Sequence, residues 1–251
     1  MLIVAPHPDD EVFGAGGTLH LAARAGAQVL PVVLADGHGG VDGQAAAAER
    51  EAESRRGCSL LGLAEPLFLR LPSAALRGDP TAAGRALAAA CGTRFDVVVV
   101  PSPLERHATH RAALLAALCA GLGDSATAWW GWGVWEALPL GRRTFEVDIT
   151  PARAPKALAM SAHASQSGRA FAAGMSARDM SQAIFARATG DEPRRAVERL
   201  LDLSALGASM PSPCAAALAA QRVSDWLAIF FAEWADELWA EPACVSPPAG
   251  A

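Results

Sequence analysis

The sequence predicts an α/β fold built on a mostly parallel sheet with helices on both sides. Two short apolar runs without polar alternation, residues 2–5 and 97–100, are typical of strands that are covered on both faces. Amphipathic stretches of helical length separate such runs, and this alternation favours parallel strands joined by right-handed crossovers. The pattern is Rossmann-like, with functional loops expected at the carboxyl ends of the strands.

The predicted elements follow one another without a linker or an internal repeat. Strands are expected at 2–5, 28–34 and 96–100, with edge strands at 132–136 and 144–149, and helices at 18–24, 45–61 and 111–122. From Pro155 onward the pattern becomes mainly helical. We therefore expect a single domain over residues 1–246, with a helical segment at 171–246 and a flexible Pro- and Gly-containing tail at 247–251.

Composition excludes several classes of protein. The chain has 251 residues, of which 52% are hydrophobic and 19% charged, so it can bury a sizeable core. A net charge of −5 and a pI of about 5.7 argue against a nucleic-acid partner. The apolar residues are too dispersed for a membrane span, and Met1 leads directly into a strand without a signal sequence, which predicts a cytoplasmic protein. The cysteines, an odd number of five, are expected to be reduced structural thiols.

A dense polar cluster follows the first predicted strand. The segment Pro6-His7-Pro8-Asp9-Asp10-Glu11 places one imidazole and three carboxylates within five positions. Imidazole and carboxylate are ordinary zinc ligands, and His7 and Asp10, three residues apart, could converge on one ion. Asp9 could then take a proton from water whose pKa the metal lowers. The alternative is a polar turn that caps the next helix.

A second polar segment follows the valine strand. His107 and His110 lie three residues apart at the predicted start of a helix and would share one face. A catalytic zinc usually has three protein ligands, so one of these histidines could complete the site. The alternative is a solvated pair on the surface.

Three blocks of residues together resemble a known family. They are Pro6 to Glu11 with glycines 14, 16 and 17 behind it, the pair His107 and His110, and Lys156 with His163-Ala164-Ser165-Gln166. In these blocks, over residues 1–170, the chain resembles the LmbE-like superfamily of zinc-dependent sugar N-deacetylases, which includes the N-acetylglucosaminyl-phosphatidylinositol de-N-acetylases (PIG-L).

The resemblance implies roles for individual residues. His7, Asp10 and His110 would bind Zn²⁺, or another divalent metal, Asp9 would be the general base, and His107 a charged group that stabilises the oxyanion. The implied activity is removal of the N-acetyl group from an N-acetylglucosamine-type sugar or glycoconjugate, a small-molecule substrate. Two alternatives remain at this point: a non-catalytic sugar-binding protein with a degenerate site, and a metal-dependent phosphoesterase.

The sequence departs from this family at two points. Family members commonly read His-Pro-Asp-His where this chain has His107-Ala108-Thr109-His110, and some use a tyrosine near the site whereas this chain has none. Arg106 is the nearest cationic substitute for that tyrosine, or else a residue of a solvated loop.

Further residues are weaker candidates. Asp36 and His38 lie in a glycine-rich segment that could approach a sugar, and Glu11 could orient a metal-binding histidine or cap a helix. The cluster of Trp129, Trp130, Trp132 and Trp135 is either core or a platform for substrate. The aromatic stripe over residues 226–239 is either core, a cover for an apolar substrate, or the interface of a homo-oligomer.

Overall fold

The computed structural model describes residues 1–37, 43–135, 138, 143–167 and 196–204. Within these ranges the strands are β1 (Leu2–Ala5), β2 (Leu30–Ala35), β3 (Leu67–Leu71), β4 (Val97–Pro101), β5 (Ala128–Trp132), β6 (Thr144–Asp148) and β7 (Val197–Asp202). The helices are α1 (Asp10–Arg24), α2 (Gly43–Leu61), α3 (Ser73–Gly78), α4 (Pro80–Cys91), α5 (Ala108–Cys119), α6 (Arg153–Ser161) and α7 (Ala164–Ser167).

The strands form one sheet in the order β3-β2-β1-β4-β5-β7-β6. Strands β1 to β5 are parallel to their neighbours, whereas β7 is antiparallel to both β5 and β6. From β1 the chain first builds outward through β2 and β3, and then returns to place β4 on the other side of β1. Such a reversal opens a crevice at the carboxyl ends of the two central strands, where ligands bind in folds of this class.

Alternating side chains of the central strands pack into two hydrophobic cores. Val98 and Val100 pack with the cluster that contains residues of α3, α4 and α5, and Val99 packs with the cluster that contains residues of α1, α2 and α6. This alternation explains the uninterrupted valine run, because both faces of β4 are covered by helices. The mixed α/β architecture and its mostly parallel sheet confirm the predicted fold class.

Several predicted elements are wrong in detail. The strand expected at 132–136 is β5, which ends at Trp132 and lies inside the sheet instead of at its edge. Strand β7 lies in the part of the chain expected to be mainly helical. Helix α1 begins at Asp10, eight residues before the predicted start, so the polar segment after β1 forms the first turn of a helix. The prediction leaves these positions out because glycines 14, 16 and 17 are poor helix formers.

Two of the α1 glycines allow close packing. A Cβ atom at Gly14 would lie 2.6 Å from the buried ring of Trp132, and one at Gly17 would lie 2.8 Å from Ile149. Tertiary packing therefore overrides the low helix propensity of these residues.

The remaining expectations for the C-terminal part concern residues outside the described ranges. They are the aromatic stripe at 226–239, most of the helical segment 171–246, and the tail. Cys58, Cys91 and Cys119 are free thiols, as expected, whereas Cys214 and Cys244 are not among the described residues. No helix in the described ranges combines the length and apolar character needed to cross a bilayer.

Candidate active site

The segments that follow β1 and β4 meet at the carboxyl ends of these adjacent strands. They line a cleft of about 550 Å³ with five of the residues singled out in the sequence, His7, Asp9, Asp10, His107 and His110. We call these five residues the cleft cluster. A cleft of this volume is within the range of small-molecule sites. The structure thus brings together groups that are about 100 residues apart in the chain.

Asp10 is the centre of this cluster. Its Oδ2 atom lies 3.1 Å from His7 Nδ1 and 3.3 Å from His110 Nε2, and it accepts a hydrogen bond from the backbone N–H of His7 at 3.0 Å. Burial disfavours the charged carboxylate, but His110 and His7 outweigh burial and hold the pKa of Asp10 well below its usual range. One carboxylate and two imidazoles therefore converge from two separate loops.

Glu105 is a functional candidate that the sequence reasoning missed. Its Oε2 lies 3.0 Å from Nδ1 of His110, and its Oε1 accepts the backbone N–H groups of Val134 and Trp135. This contact holds the imidazole so that Nε2 faces Asp10. Burial would lower the pKa of His110, but Asp10 and Glu105 together raise it to about 10. The available signal was a carboxylate in the same loop, five residues before His110.

Asp9 lines the cleft beside Asp10 but has a different partner. Arg50 of α2 donates from Nη2 to Asp9 Oδ2 at 3.0 Å, and the same guanidinium binds the carbonyl oxygens of Pro8 and Gly37. Asp9 has φ of 154°, an uncommon value for a residue other than glycine. Burial and the neighbouring Asp10 raise the pKa of Asp9 to about 6. Arg50 therefore orients a carboxylate that is more basic than usual.

His107 completes the cluster. Its ring centroid lies 5.1 Å from that of His7 and 4.9 Å from that of His110, and its buried Nδ1 has no hydrogen-bond partner among the described residues. Burial and the two neighbouring histidines lower the pKa of His107 to about 4, which favours the neutral imidazole over the charged form that the family resemblance implies. One nitrogen from each of these three histidines lies within 4.8 Å of the others.

Glu11 is not among the described residues that line the cleft. It accepts hydrogen bonds from Ser54 Oγ at 2.5 Å and from the backbone N–H of Asp9 at 3.1 Å. Burial raises the pKa of Glu11 to about 7. These contacts support the segment that carries Asp9, so the described geometry does not favour a direct contact of Glu11 with substrate.

The other substrate candidates have different positions. Asp36 lines the cleft, whereas His38 lies outside the described residues. Arg106 is exposed and is not among the residues that line the cleft in the described part of the chain. Gln166, from the third family-like block, does line the cleft.

The tryptophan cluster divides between core and cleft. Trp129 and Trp132 are buried, as expected for core residues, whereas Trp135 is 50% exposed and lines the cleft. The ring of Trp135 is nearly parallel to that of His107, with 6.3 Å between centroids. Trp135 is therefore the member of the cluster that is placed to contact a ligand.

Solved structures show the same architecture. The conserved protein TT1542 from Thermus thermophilus superposes with a TM-score of 0.63 at 23% identity, covering 80% of this chain and 92% of that one. The N,N'-diacetylchitobiose deacetylase from Pyrococcus horikoshii gives 0.64 at 22% identity, covering 84% of this chain and 86% of that one. The 4-carboxy-2-hydroxymuconate hydratase GalB from Pseudomonas putida gives a TM-score of 0.63 at 17% identity, covering 80% of this chain and 95% of that one.

These likenesses establish the fold, and because a deacetylase and a hydratase share it, they do not fix the reaction. A comparison with curated proteins gave no match. The family model described as PIG-L, GlcNAc-PI de-N-acetylase, matches residues 2–120, which contain β1 to β4, the whole cleft cluster and Glu105. Over these residues the chain matches the PIG-L (LmbE-like) family.

Proposed function

We propose that the protein is a metal-dependent N-deacetylase that removes the acetyl group from an N-acetylglucosamine-type sugar or glycoconjugate. The observation that carries this proposal is the convergence of His7, Asp10 and His110 in a cleft that Asp9 also lines. The family match supports the reaction class. The substrate class comes from the same family and is supported by the size of the cleft.

The donor set fits a divalent ion. With bonds of about 2.0 to 2.1 Å, the ligand atoms of a tetrahedral zinc lie roughly 3.3 Å apart. The Asp10 Oδ2 atom lies 3.1 Å and 3.3 Å from the nearest nitrogens of His7 and His110. Glu105 on the far nitrogen of His110 is the kind of partner that metal-binding histidines have. We therefore assign His7, Asp10 and His110 as the ligands, with zinc as the expected ion and His107 as the neighbouring group.

The residues of the cleft cluster then have distinct tasks in amide hydrolysis. A divalent ion held by His7, Asp10 and His110 would supply Lewis acidity towards the acetyl carbonyl and the attacking water. Asp9, held by Arg50, takes one proton from that water. His107, which lines the same cleft, would contact the oxygen on which negative charge develops. Asp9 gives that proton to the departing amine, directly or by way of His107, so that one water and one acetamide give acetate and a free amine.

Metal content and acetate release test the proposal on one preparation. We expect about one zinc per chain in the purified protein, and loss of that zinc in His7→Ala and His110→Ala, because each variant removes a metal bond. The parent should release acetate from N-acetylglucosamine or a glycoconjugate of it. Elemental analysis and an acetate assay give the readouts, and Asp96→Asn, an exposed position, is the control.

Other outcomes would decide for the alternatives. Release of phosphate from sugar phosphates without release of acetate would indicate a phosphoesterase. Binding of the sugar without any turnover by zinc-loaded protein would indicate a non-catalytic binding protein. Either result would overturn the proposed function.

A further inference from the structure

We propose that Arg77 binds an anionic substituent, a carboxylate or a phosphate, on the sugar substrate. This inference rests on the proposed deacetylase function and adds a charge requirement to it. Arg77 lies near the end of α3, which follows β3, and it lines the same cleft as the cleft cluster. A molecule bound in the cleft would therefore contact both Arg77 and the histidines.

Arg77 is an exposed residue whose guanidinium is hydrogen-bonded to the segment that carries two histidines of the cleft cluster. Its Nη1 donates a hydrogen bond to Thr109 Oγ1 at 3.1 Å. Thr109 is fully buried, and in the sequence it lies between His107 and His110. This bond ties the guanidinium to the start of α5. A guanidinium has five N–H donors, so one bond to a hydroxyl leaves most of them for a ligand.

The charge of Arg77 is not offset by a neighbouring residue. The cleft lining in the described part of the chain contains two arginines, Arg50 and Arg77. Arg50 is paired with Asp9 and with two carbonyl oxygens. Among the described residues, no carboxylate lies within ion-pair distance of Arg77, and its one hydrogen-bond partner there, Thr109, is neutral.

These features favour an anionic ligand group over a neutral one. The planar guanidinium matches carboxylate and phosphate groups, which it can bind through two parallel hydrogen bonds. The carboxylates that line the cleft do not neutralise Arg77: Asp9 pairs with Arg50 and Asp10 with two histidines, and no ion pair joins Asp36 to Arg77. The cleft thus combines histidines for the acetamide with a cationic position at Arg77.

The test compares charged and neutral sugars on the intact, metal-loaded protein. The substrates are neutral N-acetylglucosamine, its 1-phosphate and 6-phosphate, and N-acetylmuramic acid, which carries a carboxylate. We expect kcat/KM for at least one anionic sugar to exceed that for the neutral sugar by roughly 10- to 100-fold, as a charge-assisted hydrogen bond provides. Which sugar shows the preference distinguishes phosphate from carboxylate.

Two variants attribute this preference to Arg77. Arg77→Gln removes the charge, and Thr109→Asp places a carboxylate against the guanidinium and cancels it, so each should bring the ratio of anionic to neutral kcat/KM close to one. Arg85→Gln, an exposed arginine of α4 outside the cleft, is the matched control and should keep the parent ratio. Calorimetry should also show that the difference in affinity between glucosamine 1-phosphate and glucosamine disappears in the same two variants.

The outcomes separate this inference from the proposed function. If the parent releases acetate from all four sugars with equal kcat/KM, or if Arg77→Gln retains the preference, the inference on Arg77 is overturned and the deacetylase function stands. If no sugar yields acetate, the proposed function fails and the inference fails with it.

Discussion

Two groups of titratable side chains lie along helix α1, and they differ in what surrounds them. The cleft cluster lies at the start of the helix and opens onto the cleft. The second group, Lys156 and Glu198, contacts the middle of the helix, and we call it the closed pair. Glu198 lies 2.8 Å from Lys156 Nζ and accepts the backbone N–H groups of Gly17 and Thr18 at 2.8 and 2.7 Å.

The comparison shows that buried charge alone does not indicate a functional site. In the closed pair both side chains are 2 to 3% exposed, and Glu198 receives three donors, so its role is to hold β7 and α6 against α1. In the cleft cluster, the carboxylates and imidazoles face a space that a ligand can enter, and His107 keeps a buried nitrogen without a partner among the described residues. Access to a cleft, together with incomplete pairing, separates a reactive site from a structural one.

The largest expected effect is on the chemistry of the cleft cluster. Asp9→Asn should lower acetate release by roughly 100- to 10,000-fold, because the amide cannot act as a general base. Zinc content and the free energy of unfolding should change little, since the amide oxygen can still accept from Arg50. Activity within a few-fold of the Asp96→Asn control would show that Asp9 is not the base.

In the closed pair, the corresponding substitution should act on stability. Lys156→Met removes one partner of a buried ion pair, which typically costs about 3 to 5 kcal/mol in the free energy of unfolding. Urea denaturation measures this change, and the double variant Lys156→Met/Glu198→Gln should recover part of it because no unpaired charge remains. An unchanged midpoint in the single variant would contradict the structural role.

Chemical labelling gives a second test of the burial of Lys156. Lys156 is the only lysine of the chain. Its side chain should therefore resist an amine-reactive reagent in the folded protein and react only when α6 separates from α1. Labelling of Lys156 at the rate of a free lysine under native conditions would show that the closed pair is open in solution.

A substitution in the packing between the two groups should have a smaller effect on stability. Gly14→Ala would place a Cβ atom 2.6 Å from Trp132, whose ring also contacts His110 at 5.6 Å between centroids. Overpacking of this kind typically costs about 1 to 3 kcal/mol. Gly78→Ala is the control, because its Cβ would meet nothing within 4 Å. Thermal unfolding that shifts equally in both variants would refute this explanation of Gly14.

His163 provides a third environment, buried but unpaired. Neither of its ring nitrogens has a hydrogen-bond partner among the described residues, and burial lowers its pKa to about 4. The charges that act on it are Glu53, Arg50 and Arg56 of α2, and Asp10. Between pH 6.5 and 4 the unfolded chain binds the proton and the folded protein does not, so stability falls as the pH is lowered through this window.

The pH dependence of stability that His163 contributes reflects the binding of one proton. The free energy of unfolding therefore changes by about 1.4 kcal/mol per pH unit at most, and His163→Gln should remove that contribution. Urea unfolding at several pH values from about 7 to about 4 gives the measurement. A slope that is the same in the parent and in His163→Gln would show that His163 is not the group responsible.

The sequence by itself determined the central part of the fold and the local half of the site. Unbroken apolar runs identified β1 and β4, because only strands covered on both faces lack polar alternation. The spacing of His7 and Asp10 is a property of one short segment, and the structure does bring these two side chains within 3.1 Å. The position of His107 and His110 after another strand predicted that one of them could join His7 and Asp10, and His110 does lie 3.3 Å from Asp10.

The tertiary structure decided the features that depend on distant parts of the chain. Arg50 became the partner of Asp9, which lies 41 residues earlier in the chain, only when α2 and α1 packed into the same core. Strand β7, with the sequence Val-Glu-Arg-Leu-Leu-Asp, has no clear alternation, and it is a strand because β5 and β6 pair with it on either side. Side-chain pairing and strand pairing across long sequence separations follow from packing, which no local pattern of residues encodes.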